Sequence, residues 1–442
     1  MWNEKNIAEY LGCEVKLKFN SDKISIDSRK IEKGDIYLGL KGEVHNGNKF
    51  AEDALKKGAV AVIIDDENYA HLEKTILVAD SLKALQRLAY KKRRNSKAKF
   101  IGVTGSVGKT TAKELLAKIL SSYYRVHWTQ GNLNNHIGLP LTIVNMPENT
   151  QYAVLEMGMN HAGEISDLCR IAHPHIAGIT WVSEAHIENF SDGLEGIARA
   201  KAEILEFLVP DGCGVIPADN QFYEMLTEIA EENGISDLLS FGKVACECSD
   251  EGDFITANIV DQIVNIPKNL CEYFVENNIL FALTIAAYIG LDLEDAIEAI
   301  KELKPVKGRG AEIQLKNGAV VIDDSYNASP ESMKKALANL SKKQGYTRKI
   351  AILGDMKELG KHSKEYHESL AEHLKNIDFL ITCGADMKYL STKAKGKIKE
   401  IKHFKDYQEC LGEINNILKK GDIALIKGSH SSNMYKLVEA LG

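Results

Sequence analysis

The stretch FIGVTGSVGKTTAKELLAKIL, Phe100–Leu120, reads as an apolar strand, a glycine-rich turn carrying a lysine and two threonines, and a helix. The helix follows from Ala112, Leu115, Leu116, Ile119 and Leu120, whose three- and four-residue spacing makes one buried stripe. Unpaired amides at the start of such a helix face the turn and favour anions. Gly105 and Gly108 leave room for the backbone to wrap a polyphosphate, Lys109 brings a charge to it, and the Thr110 hydroxyl is placed to hold Mg²⁺. The strict pattern G-x-x-x-x-G-K-[ST] would put glycine at position 103, where this chain has Val103. The loop is therefore a shorter variant, TGSVGKT, and binding of ATP or GTP is expected.

A chain of 442 residues is long enough for several domains, each with its own core. Hydrophobic residues at 44% and charged residues at 26% are ordinary for a globular protein, and a net charge of −7 offers no basic field for nucleic acid. The start, MWNEKNIAEYLG, lacks a basic segment followed by an apolar one, so no secretory signal is read there. Ile279–Gly290 is the longest mainly apolar run and is too short to span a bilayer, so no membrane insertion is expected. The eight cysteines are scattered, and Cys246 and Cys248 do not have a metal-binding spacing. Free thiols in a reducing cytosol are expected.

The charged run KKRRNSKAK, Lys91–Lys99, follows a helical pattern that ends near Ala89 and reads as a linker. A solvated helix end there would mark the same boundary. Before it, DIYLGL (Asp35–Leu40), AVAVII (Ala59–Ile64) and TILV (Thr75–Val78) are strand-like runs of a small α/β domain, residues 1–96. From 97 to 306, YAVLE (Tyr152–Glu156), IAGITW (Ile176–Trp181) and CGVIP (Cys213–Pro217) alternate with helical patterns. That alternation predicts a doubly wound, mostly parallel sheet with ligands beyond its carboxyl edge. KPVKGRG then precedes a hairpin-like EIQLKNGAVVIDD, opening a third α/β domain over 307–442. Its strands KIAIL, DFLITC and DIALIK run into Gly354, Gly384 and Gly428.

Glu156 ends one strand and His186 closely follows another. Taken singly, a strand-end glutamate is commonly solvated and a lone histidine structural. Together, beyond strands flanking a phosphate turn, they point to a metal–phosphate centre, and oxygen ligands suit Mg²⁺. Lys201 falls on the apolar face formed by Leu194, Ile197, Ala198, Ile204, Leu205 and Leu208. Either its stem lies along apolar surface with the amine in water, or burial lowers its pKa and frees the amine for a metal-site partner or for CO₂. TQGNLNNHIGLPLT, MGMNHAGEI, IDDSYNASPESM and LGDMKELG are rich in amides, hydroxyls and glycine, which suits either loops or a polar substrate.

Read together, TGSVGKT, TQGNLNNHIGLPLT, LEMGMNHAGEI, SEAHIENF, DDSYNASPESM and LGDMKELG resemble the Mur ligase family over nearly the whole chain. The shorter phosphate turn, with Val103, is the family's form. The resemblance implies a uridine-nucleotide domain, a central ATPase domain and a Rossmann-like carboxyl-terminal domain. Folylpolyglutamate synthases share the turn but not DDSYNASP, and relatives that add the third peptide residue carry DYAHTP where this chain has DSYNASP. The branch implied joins D-alanyl-D-alanine to UDP-N-acetylmuramoyl-tripeptide with ATP and Mg²⁺, in the cytoplasm and as a monomer. A ligase with another acceptor and a non-catalytic nucleotide-binding relative are the competing readings.

By that resemblance Gly105, Ser106, Val107, Gly108, Lys109, Thr110 and Thr111 hold the phosphates, Asn278 meets adenine, and Arg309 and Asp324 reach ATP when the third domain closes. Thr110, Glu156, His186 and Lys201 belong to the metal centre, with Lys201 at a position that sister enzymes carbamylate. Lys109, His186, Lys201 and Arg309 carry the catalysis. Ser28, Arg29, Asn134, Asn135 and Asn327 are implied substrate contacts. Two departures stand out: NNILFAL replaces HNxxNAL, putting Asn277 and Phe281 at the adenine end, and GEVHNGNKF replaces GERFDGHDF, with Asn46 and Asn48 for an acid and a histidine. Both predict altered ligand contacts.

Overall fold

An apolar run feeding a tight glycine turn needs neighbours on both sides, and strand Lys99–Thr104 (β1) has them. The computed structural model describes residues 1–42 and 45–442. In it β1 joins Val126–Trp128 (β2), Tyr152–Glu156 (β3), Ile176–Ile179 (β4), Cys213–Pro217 (β5) and Asp237–Phe241 (β6) in an all-parallel sheet, ordered β6-β5-β4-β1-β3-β2. Both faces are covered. Phe100, Leu155 and Ile179 pack into one core, while Ile101, Val103, Val154 and Val215 pack into the other. Helices Lys109–Ser121 (α1) and Glu276–Ile289 (α3) pack together on that second face, and Gly193–Ala202 (α2) packs on the first. Val103 is still strand, registered with Glu156 and Gly178. The phosphate turn therefore starts late, between the neighbours β3 and β4, where an α/β sheet gathers ligands.

Four short parallel strands, Ile24–Ser25, Ile36–Leu38, Ala61–Ile64 and Thr75–Leu77, form the amino-terminal sheet. Its core is continuous with the central one, since Trp2, Ile36, Leu85 and Leu88 cluster with Phe100 and Leu155. The run read as a linker is corrected here, because the helix spans Ser81–Asn95. Arg93 falls on its buried face with Leu85 and Ala89, donates to the carbonyls of Ala172 and His173 at 2.6 Å, and lies 4.4 Å from the Phe100 ring. A charged run thus seals two domains instead of spacing them.

A three-stranded antiparallel meander, Ser249–Glu251, Phe254–Ile259 and Gln262–Pro267, was not expected from the sequence. Its second turn uses Val260 and Asp261, with φ 49° and 63°, where glycine or asparagine is the usual signal. The carboxyl-terminal sheet contains Ala311–Gln314 (β7), Val320–Asp324 (β8), Arg348–Gly354 (β9), Phe379–Cys383 (β10), Glu400–Phe404 (β11) and Asp422–Lys427 (β12). Its order is β7-β8-β12-β9-β10-β11, with β7 antiparallel to β8 as the hairpin-like string predicts and the rest parallel. Helix Pro330–Lys342 (α4) opens with Ser329 capping it and proline at its first turn. Among the described residues no helix is long and apolar enough to cross a membrane.

Candidate nucleotide and ligase site

The phosphate loop is sewn to the segment after β4. The Ser106 amide donates to the Trp181 carbonyl at 2.7 Å, the Ser106 hydroxyl to the Ser183 carbonyl at 2.8 Å, and the Thr180 hydroxyl to the Val107 carbonyl at 2.6 Å. Gly105 and Gly108 hold φ 146° and 89°, and a Cβ on either would lie 2.1 Å from Thr180 Oγ1 or 2.3 Å from Asn278 Oδ1. Only glycine fits both places. The Lys109 ammonium folds back on its own loop, donating to the Gly105 carbonyl at 2.6 Å. Burial pushes its pKa down to about 8, against the attraction of Glu156 and with added repulsion from Arg309.

Behind the loop, Glu156 is 2% exposed and fully engaged. Its carboxylate accepts from the Thr110 hydroxyl at 3.0 Å and from the Asn134 side-chain amide at 2.7 Å. Lys113, missed in the sequence, is completely buried, with its ammonium 3.9 Å from Glu156 and donating at 2.7 Å to the Thr129 carbonyl. The Thr110 hydroxyl and the Glu156 carboxylate converge as hard oxygen donors, which fits Mg²⁺. Lys201, 1% exposed on α2, does not line the cavity. Burial, and then the charge of Lys109, hold its pKa well below the ordinary lysine value. Of the two readings of Lys201, the structure has the buried one.

The carboxyl-terminal domain supplies the opposite wall. Arg309 lies 4.2 Å from the Tyr326 ring centre, and His430 stands between Tyr326 and Tyr435, stacked on the latter at 5.1 Å. Lys427, also missed in the sequence, is buried and donates to Asp324 at 2.7 Å and to the Asn327 carbonyl at 3.0 Å. Lys335 of α4 reaches across to the Trp181 ring, 5.0 Å away. Between the walls is a cavity of about 700 Å³, lined by residues 106–111, Trp181, His186, Asn278, Arg309, Asp324 and Asn327. His186 reaches it, but its Nδ1 faces the carboxylate of Glu358, not Thr110 or Glu156.

Several expected contacts lie elsewhere. Arg29 is an exposed residue clamped onto Asp27 by two bonds of 2.9 Å, which holds the Asp27 pKa near 2. Neither it nor Ser28 lines the cavity. Asn135 accepts from the Gly138 amide at 2.9 Å, so its side chain is tied to the turn that leads into the Gly138–Val144 helix. Phe281, expected to alter adenine contacts, is completely buried against Gly178 and packs edge-on to Phe241 at 5.3 Å. That departure is a core substitution, whereas Asn277 does line the cavity. Asn46 and Asn48 bond each other and the carboxylates of Asp66 and Asp65. This brace leaves Asn48 with no exposed surface for a ligand. Glu43 and Val44 of the same string lie outside the described residues.

Family models match the chain in sequence: "Mur ligase family, catalytic domain" over residues 21–93, "Mur ligase middle domain" over 103–286, and "Mur ligase, glutamate ligase domain" over 308–430. The UDP-N-acetylmuramoyl-tripeptide–D-alanyl-D-alanine ligase of Rickettsia prowazekii is 35% identical over 450 residues, covering 99% of each chain. A crystal structure of MurF from Acinetobacter baumannii superposes with TM-score 0.84 at 29% identity, covering 100% of this chain and 98% of that one. MurF ligase from Thermotoga maritima in complex with ADP gives TM-score 0.77 at 30% identity, covering 95% and 96%. The chain belongs to the Mur ligase family.

Proposed function

We propose that this protein is a cytoplasmic, monomeric ATP-dependent ligase that joins D-alanyl-D-alanine to UDP-N-acetylmuramoyl-tripeptide, completing the pentapeptide precursor of peptidoglycan. The observation that carries this is the shared cavity, with a phosphate loop on one wall and Arg309 and Asp324 on the other. The activity in the name of the Rickettsia prowazekii relative supports the choice of substrates.

The tripeptide's terminal carboxylate attacks the γ-phosphorus of ATP, and the bond from that phosphorus to the bridging oxygen breaks to release ADP. The acyl phosphate that results has the leaving group a free carboxylate lacks. The lone pair of the dipeptide's amine then attacks the acyl carbon, phosphate departs, and the amine's surplus proton passes to solvent. Lys109 leaves its own loop carbonyl to neutralise the phosphoryl oxygens, and Arg309 adds a second charge from the facing wall. Mg²⁺ would be held by Thr110 and Glu156, with His186 and Lys201 at its margin, and supplies charge neutralisation on the phosphates. The neutral Lys201 amine is the form that attacks CO₂, losing a proton to become a carbamate. Asn278 faces the base, Ser28 and Arg29 the uridine nucleotide, and Asn134, Asn135 and Asn327 the peptide end. Residues 1–96, 97–306 and 307–442 act as the three units whose approach completes the site.

Phosphate release, measured with UDP-linked tripeptide and a panel of acceptors, tests the reading. It predicts release with D-alanyl-D-alanine and none with D-alanine, glutamate or diaminopimelate. Release with one of the others would assign a different ligase, and none with any acceptor would leave a binding protein. Loss of activity in Lys201→Ala with recovery in added acetate or bicarbonate is the outcome expected for a carbamate.

A further inference from the structure

Glu358, in the LGDMKELG string of the carboxyl-terminal domain, has no part in the reaction as described, yet its carboxylate meets Nδ1 of His186 in the central domain. That nitrogen is buried and among the described residues completes no hydrogen bond, with the Glu358 carboxylate in ion-pair contact with it. Both residues hold left-handed backbone, with φ 61° at His186 and 63° at Glu358. Side chains other than glycine and asparagine keep that conformation where their surroundings impose it.

The surroundings do so from both domains. The Glu188 amide donates to the Glu358 carbonyl at 3.3 Å, and Ile187 packs against the carboxyl-terminal core that contains Met356 and Leu359. A Cβ on Gly360 would already sit 3.1 Å from that of Glu188. On its own side the loop is rigid. Asp355 accepts from the Met387 amide and from Lys357, both at 2.9 Å, and His367 Nε2 accepts from the Met356 amide at 3.1 Å. The loop therefore presents Glu358 to His186 as a fixed group.

We propose that Glu358 is a positioning residue whose carboxylate accepts the Nδ1 proton of His186. The histidine is thereby fixed in the tautomer that leaves the Nε2 lone pair free for the metal–phosphate centre. Because the carboxylate comes from another domain, it favours this tautomer only when the carboxyl-terminal domain is docked, so docking helps to complete the site. The inference rests on the placement of His186 at that centre in the proposed function.

The test uses the full chain with Glu358→Ala, Glu358→Gln, His186→Ala and the Glu358→Ala/His186→Ala double variant. Imidazole ¹⁵N spectra are recorded with an ATP analogue and UDP-tripeptide, and His186 is assigned by its loss in His186→Ala. Glu358→Ala should lower kcat by about 10–100-fold, the usual scale for losing a histidine's carboxylate partner, with the ATP KM moved less than about threefold. The His186 signals should shift from the Nδ1-protonated pattern toward the Nε2-protonated one. Glu358→Gln, whose amide oxygen still accepts from Nδ1, should recover most of the rate, and the double variant should match His186→Ala. An unchanged kcat and tautomer in Glu358→Ala beside a crippled His186→Ala would overturn the proposal alone. Multiplied losses in the double variant would do the same, while an undiminished His186→Ala would remove the underlying placement of His186.

Discussion

On the central wall of the cavity, the bonds that shape the phosphate loop are anchored in backbone: Ser106 to Trp181 at 2.7 Å and Thr180 to Val107 at 2.6 Å, beside glycines with no room for a side chain. On the carboxyl-terminal wall, Arg309 rests on a ring, Asp324 on an ammonium and Glu358 on an imidazole of the other domain. Bonds between two neighbouring strand ends of one sheet form when the central domain folds. Of these, only the Glu358–His186 pair crosses the domain seam and forms and breaks with docking, while the other two hold their charges within the domain that docks. The difference divides the labour, with a preformed cradle for the polyphosphate facing a set of charges that arrives with closure.

Removing the cradle's charge should do most damage. Lys109→Ala is expected to cut phosphate release by about 10²–10³-fold, the scale for losing one preorganised charge at a transferring group. A loss smaller than that of Arg309→Ala would reverse the ranking of the walls. Arg309→Ala should cost about 10–10²-fold, since it removes a charge-assisted contact that forms only on closure. Small-angle scattering should show the wild-type radius of gyration falling with ATP analogue and UDP-tripeptide, and falling less in this variant.

A subtler effect concerns protons. With its pKa near 8, Lys109 loses its charge as pH rises through that value, so the free protein binds fewer protons there than the polyphosphate complex. Nucleotide affinity should then weaken above pH 8 by up to roughly tenfold per unit, with proton uptake on binding visible by calorimetry in buffers of different ionisation heat. The sign is opposite for stability without ligand: the cost of burying this ammonium is present below pH 8 and fades as pH rises toward 10.5, the ordinary lysine value, so stability rises over that window. Affinity independent of pH from 7 to 9.5 would mean that Lys109 does not meet the phosphates.

The smallest effect on ligand binding is expected at Phe281. Phe281→Ala should lower stability to denaturant by about 3–5 kcal/mol, as large-to-small changes in a packed core do, while leaving ADP affinity within about twofold. A large loss of affinity at unchanged stability would return this residue to the adenine contacts.

The central wall was largely legible in the sequence because its signals are local. Strand, glycine turn and helical stripe are contiguous from Phe100 to Leu120, and even Val103 reads correctly once the strand is seen to run through it. What escaped depends on distant partners. Lys113 looks like a solvated helix position until Glu156 and the Thr129 carbonyl are seen beside it. Lys427 looks like the polar end of a strand until Asp324 meets it. Glu358 sits in a string that composition assigns equally to a loop or a ligand site, and only its contact with His186 distinguishes them. Arg93 misled because charge at a helix end suggests water, although its guanidinium is capped by two carbonyls and a ring.

The claim that joins both walls is that ATP is spent on making the tripeptide's carboxylate into an acyl phosphate. UDP-tripeptide carrying ¹⁸O in its terminal carboxylate, incubated with ATP and D-alanyl-D-alanine, tests this directly by mass spectrometry of the products. The account predicts one ¹⁸O atom in each molecule of released phosphate and its loss from the new amide. Unlabelled phosphate alongside the pentapeptide product would contradict it.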